Sequence, residues 1–410
     1  MKRPATAAGA TGLVRALYLP RTADALALAM STYGIPLVVL ATTNSAALTG
    51  LAFTLEWVPR LAAFGGAGAL VDRYGSRTVF VLASLARALV LAAGAAVLAV
   101  HPDGRAASAT VMVLAASTGV LAEVSYLATE TAGAAVAREA GERAHRVQGT
   151  LLGIDQSATM AGPALAGLLL AAGAPQMLAV VTVCSALASL FARRTPLAEP
   201  TSAAAGASVG SPSGGLRAGL RTVRSLPALA WLVAGLAASN LATGFLQAAG
   251  PVMVTEHYGR SATAAGLVWS AAAAATLVAV TTCRFAIDRA GLWRVGASCA
   301  ILASLACLAT ARAPGYRSYL VLVAVLMAAE GGMAIVLRTV RARLIPTDAA
   351  ASTLAATILI LLSPFPLAGL LTALTPPDLL GHVLAACAVL QAIGLATAFT
   401  RLRSEPAARI

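Results

Sequence analysis

Long apolar runs alternate with short polar breaks along the whole chain. Each run is about 20 residues, long enough to cross a hydrocarbon core of ~30 Å as a helix. The pattern predicts twelve spans, at 16–40, 48–70, 78–100, 108–136, 147–172, 174–192, 227–254, 262–286, 292–312, 317–340, 350–373 and 379–400. The break "AAGAP" at 171–175 separates the fifth from the sixth. Residues 193–226 interrupt the rhythm with a Ser-, Gly- and Pro-rich connector followed by a basic stretch. In that stretch Leu216, Leu220 and Val223 share one helical face, with Arg217, Arg221 and Arg224 beside them, which suits a short helix on an anionic membrane surface. The expected organisation is a six-helix bundle over 1–192, a linker over 193–226 and a second six-helix bundle over 227–410.

Composition narrows the class further. The chain has 410 residues, 59% of them hydrophobic and 11% charged, whereas soluble domains carry about 25% charged residues. A net charge of +13 would suggest nucleic acid if it were clustered on one face. Instead most basic residues fall in the termini and the even-numbered loops, while Arg105, Arg260, Arg312 and Arg317 lie on the opposite side. That asymmetry is the positive-inside pattern, and it predicts cytoplasmic termini rather than a nucleic-acid partner. The basic N-terminus leads into a full-length span, so no removable signal peptide is read. Five cysteines all fall in predicted spans and read as small apolar fillers, with no metal-ligand spacing.

The two halves repeat. At an offset of 216 residues "VDRYG" (71–75) meets "IDRAG" (287–291), aligning Asp72 with Asp288, Arg73 with Arg289 and Gly75 with Gly291; Gly34 likewise meets Gly250. Parallel duplicated halves predict two bundles about an axis normal to the membrane, with a site between them.

The full motif "GALVDRYGSR" (68–77) resembles the loop motif of the major facilitator superfamily, G-x-L-x-D-R-x-G-x-[RK], which joins spans two and three there as it does here. The resemblance covers the whole chain and implies an all-α fold of twelve transmembrane helices in two six-helix bundles related by a pseudo-twofold axis along the membrane normal. It also implies that Gly68, Asp72, Arg73, Gly75 and Arg77, with Asp288 and Arg289 in the second copy, act as a conformational latch during alternating access. In span five "GIDQSATMAGPALAGLLL" resembles the exporter branch, with Gly153, Gly162, Pro163 and Gly167 on its pattern and Ala158 and Ala166 in place of two glycines.

Charges inside the spans are the candidate working residues, because each costs about 2.5–3.5 kcal/mol on insertion scales. Arg21 and Asp24 stand three apart, and Glu56 and Arg60 four apart, so each pair is expected to close on one helical face. Arg87 and Glu130 form a third candidate pair. Glu123, Asp155 and Glu330 complete the set. A carboxyl in low dielectric is harder to ionise, so it can take up and release a proton as a cavity alternates between two solvents. Glu123 and Glu330, mid-span with no basic neighbour one turn away, are the first candidates for proton coupling, followed by Asp155 and Glu56. Trp57, Trp269 and Phe365 are candidates to line the substrate path, while Tyr258, Tyr316 and Tyr319 are placed in an interfacial belt. The two prolines of "SPFPLAG" (363–369) predict a kinked or broken span eleven.

No nucleophile–base constellation, phosphate loop or metal cluster is present, so neither enzymatic chemistry nor a cofactor is expected. The reading is a proton-coupled exporter of a small organic compound, monomeric and in a bacterial-type inner membrane. Its partners are the substrate, protons and lipid. Metabolite uptake by symport or facilitation is the alternative, and a non-transporting sensor the remote one.

Overall fold

The computed structural model describes residues 14–139, 144–194, 212–345 and 350–404. Among them every regular element is helical. The long helices are α1 (Leu19–Thr43), α2 (Ala46–Tyr74), α3 (Ser76–Val100), α4 (Gly104–Glu139), α5 (Ala144–Leu170) and α6 (Ala174–Arg194). After the connector come α7 (Pro212–Ser225), α8 (Pro227–Val252), α9 (Ala262–Ala290), α10 (Leu292–Thr310) and α11 (Tyr316–Leu344), then α12 (Ala350–Leu362), α13 (Pro364–Leu374) and α14 (Leu380–Arg403). Each expected span meets a helix, with ends displaced by a few residues; the eleventh is divided between α12 and α13. Among the described residues ten segments are long and apolar enough to cross a membrane. The helices α2 and α5 match the remaining two expected spans, and they carry several of the buried charges discussed below.

The chain divides into two compact units. The first holds the described residues up to Thr43 and from Leu55 through α6; the second holds Asn44–Thr54 and the described residues after the connector. In the first unit α1 packs on α4, α5 and α6, while α3 lies between α4 and α6. In the second, α8 packs on α13 and α14, and α10 lies between α11 and α14. The neighbour pattern of the first half thus recurs in the second.

The duplication extends to backbone geometry at the motif turns. Gly75 sits at φ 80°, ψ 146°, and Gly291 at φ 86°, ψ 155°. Each closes one helix and opens the next: the Gly75 N–H donates to the Val71 carbonyl at 2.9 Å, and its own carbonyl accepts from Val79 at 3.2 Å. At the second turn Gly291 donates to Ile287 at 2.9 Å and accepts from Val295 at 3.3 Å. This φ/ψ combination is essentially restricted to glycine, which is why both copies of the motif end in one.

Close helix approach occurs where the small residues are. A Cβ on Gly162 of α5 would overlap the Ala29 methyl of α1 and crowd the backbone at Ala29 and Met30, and Gly34 of α1 leaves room for Ala166 and Met177. A Cβ on Gly153 would meet open space, and one on Gly68 only a Leu127 methyl at 3.9 Å. Those two motif glycines thus have room for a side chain, unlike Gly162 and Gly34. Gly167 is buried, as is Pro163 inside α5.

Several details depart from expectation. The apolar stripe of α7 packs on α12, with Gly219 against the Ser352 carbonyl and Val223 buried. The short helix is thus held by protein on that face and turns its arginines outward. The break at Ser363 between α12 and α13 is stabilised from α8, where the Asn240 amide donates to the Leu361 carbonyl at 2.7 Å. Tyr319 is covered by protein: it is 1% exposed and lies near Gly250 and the Tyr258 ring. Tyr258 and Tyr316 donate to the Ala313 and Ala264 carbonyls, each at 3.0 Å.

Candidate functional site

The first unit buries charge on an unusual scale for a membrane bundle, and α4 organises it. Glu123, Tyr126 and Glu130 recur at three and four residues and so lie along one face of α4; Ser125 and Thr129 flank it. Three arginines from three other helices reach this stripe.

Arg21 of α1 binds Asp155 of α5 through two parallel hydrogen bonds, Nε to Oδ1 at 2.7 Å and Nη2 to Oδ2 at 2.6 Å. It also reaches Glu130 at 3.0 Å and donates to the Thr129 hydroxyl. Its guanidinium lies 5.2 Å from the centre of the Tyr126 ring. Arg60 of α2 donates to Glu123 at 2.8 Å and sits 4.6 Å from the Trp57 ring centre. Arg87 of α3 is 0% exposed. It donates to Asp24 of α1, to Ser185 of α6 at 3.0 Å and to Ser125 of α4 at 3.3 Å.

These partners correct the expected pairings, two of which came from helical spacing. Arg21 does not close on Asp24, Arg60 does not close on Glu56, and Arg87 does not meet Glu130. Each arginine crosses to a neighbouring helix instead. In a bundle a charged side chain aimed inward finds carboxylates on facing helices, and the long guanidinium stem spans that gap more easily than it bends back along its own helix.

The re-pairing changes which acid lacks a direct ion pair. The interior of this unit holds five carboxyls, those of Asp24, Glu56, Glu123, Glu130 and Asp155, against the three arginines 21, 60 and 87. Asp155, Asp24 and Glu123 each take one arginine. Glu130 shares Arg21, and its side chain is 45% exposed. Glu56 is 4% exposed, and its Oε2 has no hydrogen-bond partner among the described residues. The α2 backbone here lies hard against α4, where a Cβ on Gly119 would overlap the Glu56 carbonyl.

Among its described residues the second unit holds one acid in mid-span, the half-buried Glu330, in a small polar cluster. Ser239 of α8 donates to Glu330 of α11. Gln391 of α14 donates to Ser239 at 2.7 Å and to Glu330 at 3.3 Å. Neither polar partner was foreseen, although a glutamine in the middle of the run "VLAACAVLQAIGLATAF" was a visible signal. Trp269 and Phe365 are buried in this unit; Phe365 stacks on Phe53 with ring centres 6.4 Å apart. Trp57 lies in the first unit beside Arg60.

At the motif turn Arg77 donates to the carbonyls of Ala192 at 3.0 Å and Arg193 at 2.6 Å. It caps the C-terminus of α6, where a cation complements the helix dipole. Arg73 is exposed over the Tyr74 ring, and Asp288 and Arg289 are exposed. The side chain of Asp72 lies outside the described residues.

The family model described as Major Facilitator Superfamily matches residues 22–398. The chain belongs to the Major Facilitator Superfamily. It is a multi-pass membrane transporter by family, and solved structures agree in fold. The nucleoside transporter NupG is 14% identical and superposes with a TM-score of 0.73, covering 93% of this chain and all of that one. A bacterial homologue of the iron transporter ferroportin, in an inward-facing state, is 16% identical with a TM-score of 0.69, covering 94% and 97%. A bacterial homologue of the human lysosomal transporter Spinster is 14% identical with a TM-score of 0.69, covering 95% and 97%. No curated protein matches in sequence. At these identities the likeness carries the fold and leaves the cargo to be argued from the site.

Proposed function

We propose that this Major Facilitator Superfamily member exports a small organic compound in exchange for protons, by alternating access. One observation carries the reading: after three arginines have each taken a carboxylate, Glu56 remains buried with an oxygen no described donor satisfies. Arg60, bonded to Glu123, acts on Glu56 only through space, short of the hydrogen-bonded pairing that a buried ionised carboxylate requires. A proton substitutes for that pairing, and opening the cavity to water removes the need for it. Glu56 therefore leads the coupling residues, with Glu330 next. Glu123 and Asp155 hold arginines and serve to pass charge along the α4 stripe.

The close packing of Gly162 on α1 supports the antiport-type reading of α5. The D-R-x-G turns, fixed by Gly75 and Gly291, act as the latch, with Arg77 anchoring the first of them. The protein works as a monomer in a bacterial-type inner membrane with both termini cytoplasmic. The excess of acids over arginines among the charges inside the spans of the first unit, five to three, favours cationic, amphipathic cargo.

Everted membrane vesicles containing the protein test this directly. Respiration acidifies their lumen and quenches a permeant acridine dye. Addition of an exported member of a lipophilic-cation panel is expected to restore fluorescence, and an uncoupler is expected to abolish the response. Medium alkalinisation on substrate addition to right-side-out vesicles would instead mean proton symport and refute export.

A further inference from the structure

Beyond transport itself, the second unit carries a pair of thiols that the proton-coupled reading does not use. Cys283 lies eight residues before Gly291 and Cys299 eight residues after it. Gly291 joins α9 to α10, so each cysteine stands about 12 Å along its helix from the same turn. That symmetry brings them level across the hairpin. Gly332 of α11 completes the arrangement: a Cβ placed on it would lie 2.5 Å from the Cys299 sulfur and 3.0 Å from the Cys283 sulfur. Both sulfurs therefore converge over one bare Cα and are direct neighbours of each other, with Glu330 nearby. Both side chains are half-buried.

Packing alone does not account for sulfur at these two places. The internal repeat puts Ala67 and Ala83 at the corresponding positions of the first unit, and both belong to one buried cluster there. The same hairpin thus closes with two methyl groups in one copy and two thiols in the other.

We propose that Cys283 and Cys299 form a two-coordinate binding site for soft, thiophilic metal cations, of the mercury(II) class, which links α9 to α10 when filled. The donor set decides the class. Among the described residues no group of three or more His, Cys, Asp or Glu side chains is placed to hold a metal, which argues against a tetrahedral zinc site. Two thiolates satisfy a soft ion that accepts linear coordination. The charge balances as well: two S–H bonds break, two metal–sulfur bonds form, two protons leave to solvent, and the bis-thiolate complex of a divalent ion is neutral. A neutral product suits an apolar span, and no oxidation or reduction is involved.

The test uses the full chain in detergent with Cys184, Cys307 and Cys387 replaced by alanine, so that only the pair remains. Mercuric chloride is added at one equivalent, excess monothiol is used as challenger, and retained metal is counted by native mass spectrometry. One mercury per chain is expected to survive the challenge. Adding Cys283→Ala or Cys299→Ala is expected to lower retention at least tenfold. Alanine is what the first unit carries at both positions, and a monodisperse elution profile verifies that each variant is folded. Equal retention by the pair and by either single-cysteine variant, or none by any of them, would overturn the site. Neither result depends on proton coupling, so the transport reading stands or falls separately.

Discussion

Replacing Arg87 by alanine is expected to leave little folded protein. The residue is fully buried and joins four helices through Asp24 on α1, Ser125 on α4 and Ser185 on α6. Removing it abandons the Asp24 carboxylate, itself 1% exposed. Breaking a buried pair from one side costs about 3–5 kcal/mol, a large share of a typical net stability of about 5–15 kcal/mol. The matched change, Arg87→Leu with Asp24→Leu, removes both charges and restores much of that loss, because a well-packed apolar pair is often no worse than the ions it replaces. Fluorescence-detected size-exclusion chromatography after heating reads both. The single variant is expected to aggregate well below the wild-type temperature, and the double variant to recover most of the difference. A single variant as stable as wild type would show that this network does not hold the bundle together.

The second large effect concerns coupling. Glu56→Gln keeps the shape of the side chain and removes its proton chemistry. The variant is expected to exchange substrate across a membrane at equilibrium and to fail to accumulate it against a gradient. The wild type, drawing on 100 mV, has about 2.3 kcal/mol per charge to spend, equivalent to roughly a 50-fold gradient at 1.4 kcal/mol per decade. Proteoliposomes under an imposed proton gradient are expected to show that ratio collapse towards one. Glu123→Gln has a different expected phenotype: it strips Arg60 of its partner and lowers the rate of both modes together. Uphill transport at the wild-type ratio by Glu56→Gln would remove Glu56 from the coupling path.

The architecture was legible because hydrophobic length is a coarse signal that neighbouring residues cannot easily disguise. The first span, placed at 16–40, is the helix Leu19–Thr43, and the second, placed at 48–70, is Ala46–Tyr74. The turn glycines were legible for a different reason: a φ near +80° leaves little choice of residue, so chemistry and conformation coincide at Gly75 and Gly291. The ion pairs were not legible. Spacing along one helix says which side chains share a face, and it says nothing about which facing helix offers the better partner. Arg21 and Asp24 do share a region of α1, yet one reaches α5 and the other α3. Ser125, Ser185, Ser239 and Gln391 escaped notice because small or uncharged polar residues are common in spans as packing elements. Only tertiary contact distinguishes a donor aimed at a carboxylate from one bonded back to its own helix.

The account rests on Glu56 as the proton-carrying acid of the first unit, and infrared difference spectroscopy addresses that without any knowledge of the cargo. Protein reconstituted in lipid is stepped between acidic and alkaline buffer, and the carboxylic-acid C=O stretch is followed. A pH-dependent band is predicted that is missing from Glu56→Gln and retained in Glu123→Gln. Identical difference spectra for the wild type and Glu56→Gln would contradict it.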